Sequence, residues 1–155
     1  MGAVKFYHLT RHALDEAAQM LLGQALAQGW RVMLRGPSRE GLERLDSQLW
    51  LRPEEGFLPH GLEGGPHDAD QPVLLGEGAA VNGARAVMLL AGVRVEPEEA
   101  RGMERVWLLF EDADEAQVKA ARAEWKAVTA AGLAAEYWAD ASGRWEKKAE
   151  SGAGG

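Results

Sequence analysis

Short β-prone runs and amphipathic helical stretches alternate along the first fifty residues, and that alternation most narrows the fold. "VKFYHL", Val4 to Leu9, has the length and composition of a strand. "HALDEAAQMLLGQALAQG" follows, with Leu14, Ala17, Ala18, Leu21, Leu22 and Ala25 at helical spacing and Gly29 placed to end the helix. "WRVML", Trp30 to Leu34, reads as a second strand. Ser38 then stands as the N-cap of a helix that carries Leu42, Leu45 and Leu49 on one face. Strand, helix, strand, helix in this order predicts a parallel sheet with right-handed crossovers and helices on its faces.

The remaining chain extends the pattern. Residues 51–71 are rich in Gly, Pro, His and Asp and read as a long loop, a kind of segment that is usually functional or disordered. "PVLL", "ARAVMLLAG" and "RVWLLF" (Arg105 to Phe110) are buried-strand candidates. A helix is expected from Asp112 to Ala131, with Asp112 and Glu115 at capping-box spacing and Gly132 as its terminator. "AAEYWA" completes the strands, and the polar, glycine-rich "EKKAESGAGG" predicts a frayed end. The expected organisation is one α/β domain over residues 1–145, a mostly parallel sheet flanked by helices, with a flexible tail at 146–155.

Composition removes several classes of function. No run of eighteen apolar residues is present, so no membrane-spanning helix is expected. "MGAVKFYHLTRHALDE" places acids and histidines where a signal peptide needs an apolar stretch, which predicts a cytoplasmic protein. The chain has no cysteine, which excludes disulfides and thiolate metal sites. Its formal net charge of −7 opposes strong, direct binding to a phosphate backbone. Any role on DNA is therefore expected to run through other proteins.

Catalytic and cofactor motifs fail on inspection. "LRGPSREG" sits between a strand and a helix, where a phosphate cradle belongs, yet it lacks both the dinucleotide glycine spacing and a Gly-Lys-Ser/Thr. Pro37 also removes a backbone donor. "GEGAAVNG" fails similarly. His8 and His12 are four apart, but one lies in a strand and the other beyond a turn, so they do not make a helical metal pair. The loop cluster His67, Asp68 and Asp70 reads as solvated polar surface. Nothing ties a serine to a base. No catalytic residue, metal or cofactor is expected.

The last helix carries more information. With Lys119 at zero and about 100° per residue, Arg122 falls at about 300°, Lys126 at about 340°, Trp125 at about 240° and Val118 at about 260°. Three cations thus line one stripe, with an indole and a valine along its edge. Such a stripe suits an acidic peptide that ends in a hydrophobic residue, but the residues alone favour a solvated outer face with Trp125 turned into the core. The same two readings, core or partner anchor, apply to Trp50 and Phe57 in "LDSQLWLRPEEGFLPHGL".

Three stretches together carry a family resemblance: "FYHL" in the first strand, "RLDSQLWLRPEEGFLPHGL" after the second helix, and "ARAEWKAVTAAG" in the last helix. Across nearly its whole length the chain resembles the chi subunit of bacterial DNA polymerase III, an accessory part of the clamp-loader complex. The resemblance implies a nucleotide-binding-like topology without a working nucleotide site, and a non-enzymatic adaptor. It implies a site for the acidic, phenylalanine-ending tail of the single-stranded-DNA-binding protein at Arg122, Trp125 and Lys126, where Trp125 replaces a tyrosine. Tyr137 takes the place of a threonine, and a family lysine aligns with Val118, leaving Lys119 beside it as the available cation. A second surface, at Trp50 and Phe57 with Leu49, Pro53 and Pro59, is implied to meet the psi subunit or, in some bacteria, an XPD-like helicase. The rival readings are a stand-alone interaction domain and a degenerate nucleotide-binding enzyme.

Overall fold

The computed structural model describes residues 3–51 and 58–152. Within them the chain forms β1 (Val4–Leu9), α1 (Leu14–Ala27), β2 (Val32–Arg35), α2 (Arg39–Trp50), β3 (Gly61–Leu62), β4 (Val73–Gly76), β5 (Ala86–Leu90), α3 (Pro97–Gly102), β6 (Arg105–Glu111), α4 (Glu115–Ala130), β7 (Ala135–Ala139) and β8 (Glu146–Ser151). The strands make one eight-stranded sheet in the order β3-β4-β2-β5-β6-β1-β7-β8. Every pairing is parallel except β7 with β8. The expected single α/β domain with a mostly parallel sheet is what the chain builds.

Period-two alternation divides the strand residues between two cores. Tyr7, Leu34, Met88, Trp107 and Leu109 face α1 and α2 and pack with Leu21, Leu22, Leu42, Leu45 and Leu49. Phe6, Met33, Val87, Leu108 and Phe110 face the other side and pack with Ala121 and Val128 of α4. A sheet covered on both faces explains why β4 and β5 are buried along their whole length.

The helix ends follow local chemistry. Ser38 caps α2 by accepting from the Gly41 N–H at 3.1 Å. Gly29 and Gly132 adopt φ of 83° and 81° and close α1 and α4 with paired bonds, Trp30 N–H to the Ala25 carbonyl and Leu133 N–H to the Val128 carbonyl.

Four expectations are corrected. The cap of α4 is Asp114, whose carboxylate accepts from Ala116 and Gln117 N–H, while Asp112 is drawn away to His8. The second strand starts at Val32 and runs to Arg35, a shift that follows from its register with β4 and β5. The 51–71 segment, expected to be all loop, contains β3 and a 3-10 turn at Asp68–Asp70. The segment Glu146–Ser151, expected to fray, is the edge strand β8, held by antiparallel bonds that do not need apolar side chains. Helix α3 has no counterpart in the sequence reading; Pro97 at its first turn is its local signal.

The turn between β1 and α1 is pinned from 128 residues away by Asp140, at the end of β7. Its fully buried carboxylate accepts from the N–H groups of Thr10 (2.7 Å), Arg11 (3.2 Å) and His12 (2.7 Å) and contacts His12 Nδ1 at 2.6 Å. Burial pushes this carboxyl up, but the hydrogen bonds from Thr10, His12 and Arg11 outweigh it and hold its pKa below the ordinary value. A depressed carboxyl stabilises the fold above the unfolded-state pKa of about 3.9 and loses that contribution as pH falls through the folded value. Asp140→Ala is therefore expected to cost roughly 3 kcal/mol at pH 7, read from the urea midpoint at unchanged m. The gap to wild type should narrow below about pH 4.

A pocket between helix α4 and the sheet edge

Helix α4 crosses the sheet where β6, β1 and β7 meet, and its i, i+3 and i+4 neighbours Val118, Arg122, Trp125 and Lys126 project to one side. With Phe110 of β6, Tyr137 of β7 and Ala149 of β8 they enclose a pocket of about 470 Å³. Tyr137 and Ala149 are direct cross-strand partners, which makes β8 one wall of the site.

The floor is aromatic and edge-to-face packed. Trp125 meets Phe6 at a centroid distance of 5.3 Å and Tyr137 at 6.0 Å, and Tyr137 meets Phe110 at 6.0 Å. Trp125 is half-buried, so the core and pocket readings of this residue are both met: one edge packs on Phe6 while the rest lines the cavity. The rim is cationic. Arg122 and Lys126 are exposed, and neither forms an ion pair among the described residues.

Beneath the rim runs a polar chain. Asp112 Oδ1 lies 2.7 Å from His8 Nε2, and the Tyr137 hydroxyl lies 2.6 Å from His8 Nδ1. The His8 ring stacks on Phe110 at 4.7 Å. Burial pushes the Tyr137 phenol up, with Arg122 opposing and Asp112 adding to the shift, so the hydroxyl keeps its proton at neutral pH.

Of the residues singled out from sequence, the structure brings Val118, Arg122, Trp125, Lys126 and Tyr137 into one site. Lys119 is exposed and does not line it. Phe110, Ala149 and the His8–Asp112 pair were missed. Phe110 lies near the end of β6, a strand buried along its run, and neither it nor Ala149 carries a local signal for the pocket.

The second surface is split. Trp50 ends α2 with 49% of its surface exposed, its ring tilted over His60 at 4.2 Å, and Leu51 beside it is 76% exposed. Leu49 is instead buried in the core with Leu45, because the helical period turns it inward, so it offers no surface to a partner. Pro59 is half-buried, while Pro53 and Phe57 lie outside the described residues.

At the carboxyl ends of the parallel strands, the place where α/β folds commonly bind nucleotides, the loop is committed to packing. A Cβ on Gly36 would stand 2.9 Å from Leu42 and 3.3 Å from Leu90, and the Ser38 hydroxyl is spent on capping. Asp15 and Glu111 line the same crevice, an unfavourable setting for phosphate. Asp68 accepts from Gly64 and Gly65 N–H, and among the described residues no three His, Asp or Glu side chains converge as metal ligands. No described helix is long and apolar enough to cross a membrane.

Fold and pocket define a class: an α/β domain of nucleotide-binding-like layout that carries an aromatic and cationic pocket on a helix-covered face. Residues 1–136 match the family model of the DNA polymerase III chi subunit, HolC, and the chain belongs to that family. No curated protein matches it. Membership makes it an accessory subunit of DNA polymerase III, a component of DNA replication.

The neighbours Leu49 and Trp50 offer a direct contrast. Leu49→Ala is expected to destabilise the protein by about 2–4 kcal/mol, because it leaves a core cavity. Trp50→Ser should cost less than Leu49→Ala, because about half of the Trp50 surface is already exposed in the folded protein. Urea denaturation of the two variants reads both.

Proposed function

We propose that this chain is a non-catalytic, cytoplasmic adaptor that connects the clamp loader of DNA polymerase III to the acidic C-terminal tail of single-stranded-DNA-binding protein. The observation that carries the reading is the convergence of Arg122 and Lys126, free of ion pairs among the described residues, on an aromatic pocket built by Trp125, Phe110 and Tyr137. An acidic peptide ending in phenylalanine fits both halves. The ring enters the pocket, the terminal carboxylate meets the Arg122 guanidinium, and upstream acids lie along the helix near Lys126.

The magnitudes agree with a reversible contact. Burying a phenylalanine side chain contributes about 2–3 kcal/mol, and each charge-assisted hydrogen bond about 1.5–3 kcal/mol. After the cost of association, a lone tail binds at about micromolar strength. Several tails on one oligomeric partner raise that by avidity.

Trp50 and Leu51, exposed together at the end of α2, support a second contact on the far side of the domain, toward psi or an equivalent partner such as an XPD-like helicase. Two faces that bind different partners at once are what an adaptor requires.

Fluorescence anisotropy of a labelled acidic peptide ending in phenylalanine tests the first contact. Arg122→Ala and Trp125→Ala are each expected to weaken binding about tenfold or more in folded protein. Raising NaCl from about 50 to 500 mM should weaken the wild-type complex, because the rim charges are exposed to screening. Unchanged affinity in both variants would sink the proposal.

A further inference from the structure

The chain Asp112–His8–Tyr137 runs from the exposed turn after β6 through β1 to the pocket wall, and neither the tail contact nor the packing of the fold requires it to be polar. Its geometry fixes the direction of its protons. The Asp112 carboxylate, 2.7 Å from Nε2, is an acceptor only, so the neutral His8 ring carries its proton on Nε2. Nδ1 is then an acceptor, and the Tyr137 hydroxyl 2.6 Å away must donate to it. In that state the phenolic proton points away from the cavity, and Tyr137 turns only oxygen lone pairs toward a ligand. A carboxylate placed there meets an acceptor facing an acceptor.

Adding one proton to the ring reverses the relation. Both imidazole nitrogens then donate, Nε2–H to Asp112 and Nδ1–H to the Tyr137 oxygen. The phenolic O–H is released to rotate and donate into the pocket. We infer that His8 makes carboxylate recognition at this site proton-coupled, with Tyr137 as the element that presents the switched hydrogen bond. The inference rests on the tail-binding reading of the pocket and adds its regulation.

The charged and titratable groups around His8 are few. Asp112 approaches from the segment after β6, Tyr137 from β7, and Arg122 of α4 stands across the Tyr137 phenol. The peptide's own carboxyls titrate below about pH 4.5, outside the range in which an imidazole ordinarily titrates, about pH 6.5. The sign follows: a ligand carboxylate favours the protonated ring, so affinity rises as pH falls and binding takes up protons.

Anisotropy titrations of the labelled, phenylalanine-ending acidic peptide at pH 5.5 to 8.5 test this in wild type, Tyr137→Phe and His8→Gln. Wild type is expected to bind about tenfold tighter at pH 5.5 than at pH 8.5, the effect of one charge-assisted hydrogen bond. Calorimetry in two buffers of different ionisation enthalpy should show net proton uptake on binding within that pH range. Tyr137→Phe, which has no hydroxyl to donate, should show a flat pH profile whatever its absolute affinity. His8→Gln, which cannot change protonation, should also be flat. Wild-type binding without pH dependence, or a dependence that persists in Tyr137→Phe, overturns the inference and leaves the tail site standing. Failure of folded wild type to bind at any pH overturns the tail site and this inference with it.

Discussion

The pairing of β1 with its two parallel neighbours is the constraint from which the site follows. Phe6 stands opposite Leu108 and Tyr137, and His8 opposite Phe110 and Ala139. A one-residue slip would turn Phe6 and His8 to the α1 face and bring Lys5 and Tyr7 beneath α4. In the observed register, Phe6 supports Trp125 from below and His8 stacks on Phe110 while reaching Tyr137. The pocket is thus a consequence of strand register, with α4 laid across it by the burial of Ala121 and Val128.

Register also depends on how the β1–α1 turn is held, and there the dominant element is a buried charge. A carboxylate removed from water is costly, and Asp140 offsets that cost only because three consecutive backbone N–H groups and one imidazole converge on it. The same bonds tie the end of β1 to the end of β7, the two strands that must stay aligned for the pocket to exist. His12, half of that arrangement, stacks on Trp145 at 5.4 Å in the β7–β8 connection, so the wall carrying Ala149 is anchored through the same contact.

Much of this was legible in the residues, for identifiable reasons. Helical spacing put Leu42, Leu45 and Leu49 on one face, although the resemblance assigns Leu49 to a partner surface and it is core, and the stripe of Arg122, Trp125 and Lys126 came directly from the 3.6-residue period. What escaped lacks a local signal. "EKKAES" has no apolar alternation, because an edge strand over open surface is held by its backbone and discourages further pairing with its lysines. Asp112 and Asp114 are equally good caps by sequence, and only the approach of His8, 104 residues away, separates them. Lys119 sits on the cationic stripe in projection, but a helical wheel has no depth, and the pocket closes toward Arg122 and Lys126 instead. The resemblance supplied the family; the His8–Tyr137 contact belongs to this chain's own residues.

An overall negative chain proposed to receive an acidic peptide poses an electrostatic question, and distance answers it. At physiological ionic strength charges are screened over about 8 Å. Most of the acids behind the net charge of −7 would therefore act weakly on a peptide lying along α4, whereas Arg122 and Lys126 line the pocket itself. Glu124, which lies on the same helix and could oppose them, is turned away and buried, accepting from the Val95 N–H at 3.0 Å. The long-range field opposes binding to bare phosphate backbone, and the local cations favour a ligand that presents carboxylates at contact range. On the proposed tail-binding reading, such a protein would reach single-stranded DNA through a partner's tail rather than through the nucleic acid, with its affinity set where the rim charges, the aromatic floor and the Tyr137 hydroxyl act on the same terminal residue.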